Sequence, residues 1–232
     1  MAVSVADRSL RVARFRERPN RFLGLVELQG QPVECHISDS GRLRELLRPG
    51  AEVLIAKAAS ARRRTAYDLL AVRAKAVWVC VAPRLASRLV RQMLEQQRVP
   101  ELAEYSRVEV EVPWGHSRLD FRLSREGETC WVELKSCTLV VDGEARFPDA
   151  PTVRGQRQMA DLAALRRSGQ RAVVFFLVQR PDAQRFAPHD EIDPAFGAAL
   201  RAAAGVGVEI LAYTSRWQNA ALRWGQRIPV CL

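Results

Sequence analysis

Lysine is scarce in this chain, paired cysteines are missing, and no apolar run is long enough to cross a bilayer. The longest uninterrupted apolar stretches, Ala76–Ala82 and Ala172–Val178, fall far short of the roughly 20 residues a spanning helix needs. No long apolar run follows the first charges of MAVSVADRSLRVARF, so neither a secretory leader nor a membrane partner is expected. Cys35, Cys80, Cys130, Cys137 and Cys231 form an odd set with no C-x-x-C pair. That speaks against a disulfide framework and a zinc cluster, and points to the reducing cytoplasm. G-x(4)-G-K-[ST], G-x-S-x-G and H-E-x-x-H are all absent, which leaves P-loop hydrolysis, elbow-serine chemistry and zincin chemistry without support. His36, His116 and His189 are scattered, and local hydrogen bonding is expected of each.

What is present is positive charge, unevenly spread. The 232 residues are 48% hydrophobic and 27% charged, enough for one large domain or two small ones, with a formal net charge of +10. Residues 1–82 hold 15 Lys+Arg against 8 Asp+Glu, and residues 83–232 hold 21 against 18. A basic N-terminal third beside a nearly neutral remainder suggests a polyanion-binding face, with nucleic acid as a candidate, joined to a domain with another task. The clusters Arg14/Arg16/Arg18/Arg21 and Arg62/Arg63/Arg64 are the candidate phosphate contacts. Phe22 could stack on a base, but core packing is the expectation. Only Lys57, Lys75 and Lys135 among the 36 basic residues are lysines. A chain that uses arginine for generic positive charge makes a lysine beside acids informative.

Periodicity divides the chain in two. In residues 1–82, Arg21–Leu28 and Gln31–Ile37 flank a Gln29-Gly30 turn, Pro49-Gly50 introduces Glu52–Ala58, and Leu69–Val81 is one long or paired strand. Short strands with few helical patterns predict a small β-barrel, of which the oligonucleotide-binding-like (OB-like) barrel is a common form. In residues 83–232, Pro83 opens a helix with Leu85, Leu89, Val90, Met93 and Leu94 on one stripe. RVEVEV (107–112), Ser117–Leu123 and Cys130–Lys135 follow as strands, Val153–Ser168 as a helix ended by Gly169, and Arg171–Val178 as a buried strand. Pro194–Ala204 and Val208–Tyr213 add a helix and a strand. The order α-β-β-β-α-β, with additions, gives an antiparallel meander crossing over to a parallel strand: an α/β (α+β) domain.

If Glu126-Gly127 is a two-residue turn, opposed residues sum to 253. Leu123 then faces Cys130, Phe121 faces Val132 and Leu119 faces Leu134, all apolar. The other side pairs Arg122 with Trp131, Asp120 with Glu133, and Arg118 with Lys135. Two opposed carboxylates repel, and a Mg²⁺ or Mn²⁺ ion held by Asp120 and Glu133 would remove the repulsion while keeping waters for a phosphate. Lys135, two residues further along the same face, would hold the attacking water or the developing phosphorane charge. The alternative is an ordinary solvated face in which Arg118 and Arg122 pair the acids without a metal, since D-x(12)-E-x-K is a short pattern. Thr152 is placed to cap a helix that brings Arg154, Arg157 and Gln158 near Lys135.

The segments S-R-L-D-F-R-L (117–123), W-V-E-L-K-S-C-T-L-V (131–140), F-P-D-A-P-T-V-R-G (147–155), F-A-P…E-I-D-P (186–194), V-E-I-L-A-Y (208–213), R-F-L (21–23) and S-D-S-G-R-L (38–43) stand out. Together they resemble the bacterial and archaeal sugar fermentation stimulation protein family. The resemblance implies an OB-like barrel joined to a restriction-endonuclease-like, PD-(D/E)xK domain. It places a D…E-x-K site on Asp120, Glu133 and Lys135 and adds Arg42 to the candidate nucleic-acid contacts. It also implies DNA binding linked to sugar utilisation, particularly maltose, so that a regulator retaining the nuclease fold without cleavage is the alternative to an enzyme. This chain departs from the family's habit at Asp39-Ser40, where Asn-Thr is usual, at Arg84, where Asn is favoured, and at Gln158, where His is common.

Overall fold

Alternating segments joined by tight turns close the N-terminal part of the chain into a barrel. The computed structural model describes residues 1–58, 63–115 and 117–232; Arg62 and His116 lie outside the described residues. After β1 (Ala2–Ser4) come β2 (Leu10–Asn20), β3 (Leu23–Leu28), β4 (Gln31–His36), β5 (Glu52–Lys57), β6 (Tyr67–Ala74) and β7 (Val77–Cys80). The last six form a sheet in the order β4-β3-β2-β5-β6-β7. It closes where β4 pairs in parallel with β6 at Cys35↔Tyr67 and His36↔Asp68. Strands β2 to β6 thus make the closed five-stranded, OB-like barrel expected from the turn spacing. Gln29 and Gly30 both have positive φ, 53° and 80°, the turn that matches the twist of a two-residue hairpin. Reading Arg14, Arg16 and Arg18 only as a basic cluster overlooks β2. The same period of two turns Ala13 and Phe15 into the barrel core with Val26, Val53, Ile55 and Leu69.

The second unit begins with α1 (Pro83–Glu95), whose Leu85, Leu89, Val90, Met93 and Leu94 are buried as the stripe requires. Then follow β8 (Arg107–Trp114), β9 (Ser117–Arg125), β10 (Glu128–Cys137), β11 (Leu139–Val141), β12 (Glu144–Phe147), α2 (Val153–Arg167), β13 (Arg171–Val178), β14 (Arg185–Pro188), α3 (Pro194–Gly205), β15 (Glu209–Gln218) and β16 (Ala221–Arg227). A seven-stranded sheet runs β1-β16-β15-β13-β10-β9-β8, and β11-β12-β14 form a small second sheet. Strands β8, β9 and β10 are the antiparallel meander, and α2 carries the chain to β13, parallel to β10. The first strand belongs here and not to the barrel: Val3 pairs with Leu222 of β16 and is buried beneath α1. Three residues carry too little periodicity to reveal such a pairing.

Strand β13 is buried on both faces. Val173, Phe175 and Leu177 pack on the α1 side, and Val174, Phe176 and Val178 on the α2–α3 side; each large side chain contributes about 1.5–3 kcal/mol on burial. Gly169, at φ +87°, supplies the left-handed turn that stops α2. Asp193 joins the starts of two helices: its Oδ1 accepts from Phe196 N–H at 2.9 Å, and its Oδ2 from Thr152 N–H at 2.7 Å. No helix among the described residues is long and apolar enough to cross a membrane. All five cysteines are free and only Cys231 is exposed. Burial pushes the Cys35, Cys80 and Cys130 thiols up to about 12, far from a thiolate nucleophile.

Candidate active site

The β9–β10 hairpin carries the acids. Glu126 and Gly127 both have positive φ, and the ladder runs in the expected register from Glu128↔Arg125 to Val132↔Phe121. There it stops, because Asp120 Oδ2 accepts the N–H of Leu134 at 2.7 Å in place of a backbone carbonyl. Glu111, between the β8 residues paired to Phe121 and Leu119, sits at φ 55°. The expected pairing of Leu119 with Leu134 on one apolar side therefore needs correction. Leu119 packs with Trp131 on the α2 side, whereas Leu134 packs on the α1 side with Phe121 and Val132. Strict alternation holds only while the ladder is unbroken, and a side chain that takes over a ladder bond ends it.

The alternative of an ordinary solvated face does not hold, and Arg118 and Arg122 pair with Glu111 and Glu109 instead of the acids. Glu133 is 3% and Lys135 9% exposed, because α2 crosses over them. Thr152 caps that helix by accepting from Gly155 N–H at 3.0 Å. A Cβ on Gly155 would meet Thr152 at 2.7 Å and Phe196 at 3.2 Å, so the first turn packs without room to spare. One turn later Gln158, 4% exposed, reaches Glu133 and Lys135. Lys135 Nζ donates to Glu133 Oε1 at 2.8 Å and to Gln158 Oε1 at 2.5 Å, and Gln158 Nε2 donates to the same Glu133 oxygen at 2.5 Å. The neighbouring Asp120 carboxyl is pushed up to about 7, first by burial and then by Glu133, against the pull of Leu134 N–H and Lys135.

One oxygen is left over. Glu133 Oε2 is buried and has no hydrogen-bond partner among the described residues, a costly state for a carboxylate. Two acids face one ammonium here, and a divalent cation fits both the leftover oxygen and the surplus negative charge. Among the described residues no group of three or more His, Cys, Asp or Glu gathers to hold a metal. Two carboxylates, with waters completing the shell, is the ligand set Mg²⁺ usually takes.

The acids line a cleft of about 370 Å³ between the two units, together with Arg21, Asp39, Lys135 and Arg154. A second groove, of about 420 Å³, meets it at Pro83, Asp120, Leu134 and Ser136 and is bordered by Arg84 and Arg88 of α1. Arg84 stands out in the sequence only as a departure from the family's habit and Arg88 not at all, although their i,i+4 spacing off the apolar stripe is a legible sign of a shared face.

Comparison with known proteins settles the ancestry. Residues 84–221 match the family described as Sugar fermentation stimulation protein RE domain, and residues 17–81 match the SfsA N-terminal OB domain. The chain belongs to the sugar fermentation stimulation protein family. A homolog from Chloroflexus aurantiacus is 44% identical over 218 residues, covering 94% of this chain and 84% of that one. One from Symbiobacterium thermophilum is 43% identical, covering 100% and 98%. The solved structure of Pyrococcus furiosus SfsA in complex with Ca²⁺ superposes with a TM-score of 0.93 at 29% identity, covering 100% of both chains.

In this member of the family the most specific segment, F-P-D-A-P-T-V-R-G, runs from the end of β12 into α2 and walls the cleft with Asp149, Thr152 and Arg154. S-D-S-G-R-L meets it from the barrel. Leu43 N–H donates to Asp149 Oδ2 at 2.9 Å, and a Cβ on Gly41 would meet that same oxygen at 2.9 Å. Asp149 was not picked out as a functional residue, and only its place in the motif hinted at this link.

The candidate nucleic-acid contacts separate. Arg21 and Arg154 line the cleft with the acids. Arg42 borders an adjoining groove with Arg44, Arg48 and His189, and Arg157 is exposed on α2. Arg18 is no free cation: its guanidinium donates to the carbonyls of Gly41, Arg42, Arg21 and Asp39 at 2.7–2.9 Å, and burial lowers its pKa. Arg16 pairs with Glu27, Arg14 reaches the Gly50 carbonyl at 3.4 Å, and Arg63 pairs with Asp68 at 2.9 Å while Arg64 stays exposed. His189 Nδ1 lies 3.2 Å from the Pro148 carbonyl, the local role expected of it. Phe22 departs from expectation, being 50% exposed.

Proposed function

We propose that this protein is a divalent-metal-dependent phosphodiester hydrolase of the cytoplasm acting on nucleic acid, DNA in the first place, through a PD-(D/E)xK-type site. The observation that carries this reading is the buried Glu133 whose Oε1 is held by Lys135 and Gln158 while its Oε2 has no partner among the described residues. Asp120 and Glu133 would hold Mg²⁺ or Mn²⁺, which supplies Lewis-acid activation of water and neutralises phosphate charge when bound. The Ca²⁺ recorded for the Pyrococcus furiosus relative, another oxygen-seeking dication, supports that assignment. Glu133 and Gln158 fix Lys135 Nζ at the cleft, where a compact ammonium orients a water or offsets charge on a pentavalent phosphorus. Arg21 and Arg154, which line the same cleft, neutralise phosphates of the bound strand and steer it to the acids.

The family's name speaks of sugar fermentation and not of cleavage, which leaves room for a second reading, a DNA-binding regulator of sugar (maltose) utilisation that keeps the nuclease fold without cleaving. Incubating the protein with plasmid and oligonucleotide substrates in Mg²⁺, Mn²⁺ or EDTA decides between them. The enzyme reading expects metal-dependent scission lost in Glu133→Gln. Binding without scission under every metal condition leaves the regulator.

A further inference from the structure

The two-residue turn Arg21-Phe22 between β2 and β3 puts a large apolar ring in water. Phe22 is 50% exposed, although its neighbours Phe15 and Val26 fill the barrel core. The exposure is not slackness of the chain. The Phe22 N–H donates to Asn20 Oδ1 at 2.9 Å, and its carbonyl accepts from Ile37 N–H at 3.0 Å. The ring is stacked with His36, centroids 6.2 Å apart and planes 25° from parallel. The Arg21 guanidinium lies 5.5 Å from the same ring. Phe22 and His36 share a small cavity of about 200 Å³ with Asn20, Arg63, Arg64 and Thr65. An exposed aromatic ring on a fixed backbone, ringed by arginines, suits a flat, aromatic, negatively tethered ligand better than an apolar protein surface. The base of a nucleotide is such a ligand. Arg21 lines the cleft of Asp120 and Glu133, so consecutive residues face the two places.

We propose that Phe22 and His36 form a stacking subsite for an unpaired nucleobase, and that the substrate is therefore single-stranded where it leaves the cleft over the barrel. A base inside a duplex has both faces covered by its neighbours and offers only its edges, so it cannot use this platform. Arg21 takes the adjoining phosphate, and the subsite tolerates any base because every base has a π-face. The inference rests on the nucleic-acid reading above, and its test is made without metal so that the two stand or fall separately.

The full-length protein is titrated in EDTA with a fluorescent short oligothymidylate and with the same strand annealed to oligodeoxyadenylate. Stacking is worth about 1–3 kcal/mol per base, so Phe22→Ala should weaken single-strand binding by roughly 5- to 150-fold. Duplex binding and the slope of affinity against salt should stay unchanged, since the ring carries no charge. Phe22→Trp should restore single-strand affinity. Phe22→Ala with a native circular dichroism spectrum and wild-type affinity for oligothymidylate overturns the subsite, as does an equal loss for both probes. If wild type binds oligothymidylate through Phe22 yet cleaves nothing in Mg²⁺ or Mn²⁺, the hydrolase reading fails and the subsite stands. If it cleaves and Phe22→Ala binds as wild type, the converse holds.

Discussion

Removing Lys135 should unsettle the fold as well as the chemistry, the reverse of what its place on an apparently polar hairpin face suggests. Glu133 is almost fully enclosed, and among the described residues only its Oε1 has donors, Lys135 and Gln158. Lys135→Ala leaves that carboxylate with a single neutral amide. Deleting one partner of a buried ion pair costs about 3–5 kcal/mol, a large part of a typical total of about 5–15 kcal/mol. For a chain of this size each kcal/mol moves Tm by about 2–4 °C, so a fall of roughly 6–20 °C is expected. Glu133→Gln combined with Lys135→Met removes both charges and should melt within a few degrees of wild type. Excess Mg²⁺ should return several degrees to Lys135→Ala by binding the folded state, about 2.7 kcal/mol at a hundred times Kd. It should return nothing to the double variant, which has lost a ligand. Thermal unfolding followed by circular dichroism in EDTA and in Mg²⁺ reads all of this. A single variant melting within about 2 °C of wild type, or a double variant melting as low as the single one, would refute the reasoning. At a temperature where each variant is folded, Lys135→Ala should cut metal-dependent cleavage by roughly 100-fold or more. Lys135→Arg should not rescue it, because a planar fork cannot replace an ammonium between Glu133 and Gln158.

Asp120→Asn keeps an oxygen for Leu134 N–H, so Tm should change little while calorimetric titration with Mn²⁺ loses its binding isotherm; undiminished binding would remove Asp120 from the metal site. Arg154→Ala should lower the slope of log affinity against log salt by about 0.9 on duplex DNA at constant Tm. Arg18→Ala should lower Tm instead, since four carbonyls lose their donor; a pure salt-slope effect there would contradict the scaffold role. Burial holds the Asp39 carboxyl above its ordinary range, against a hydrogen bond from Gly41 N–H. The folded state therefore keeps that proton more tightly than the unfolded chain, and stability is lost as pH rises from the unfolded pKa through the folded one. Asp39→Asn, which retains an oxygen for Gly41, should melt above wild type near pH 8, and the gap should close on acidification; a gap independent of pH would refute it.

Much of the scaffold was legible because it depends on neighbours in sequence. The Glu126-Gly127 turn and the alternation around Phe121 and Val132 settle the hairpin as far as the last regular pair. The α1 stripe and the unbroken run of β13 declare a helix and a doubly buried strand. Strand β1 escaped notice because three residues show no period, and β2 because its outward arginines drew attention from its inward Ala13 and Phe15.

Sequence by itself determined the two-part organisation, the acid–acid–lysine constellation on one hairpin and the surplus of arginine, all properties of local pattern and composition. Tertiary structure alone decided what those groups experience. Helix α2, which begins some twenty residues beyond Glu133, covers Glu133 and Lys135 and supplies Gln158, turning an apparently solvated face into a buried, incompletely satisfied one. The barrel folds Arg18 inward onto four carbonyls, sends Arg21 into the cleft and leaves Phe22 in water. The physical reason is the same in each case. Desolvation and hydrogen-bond partnership are set by segments far apart along the chain, and neither residue type nor spacing encodes which of them meet.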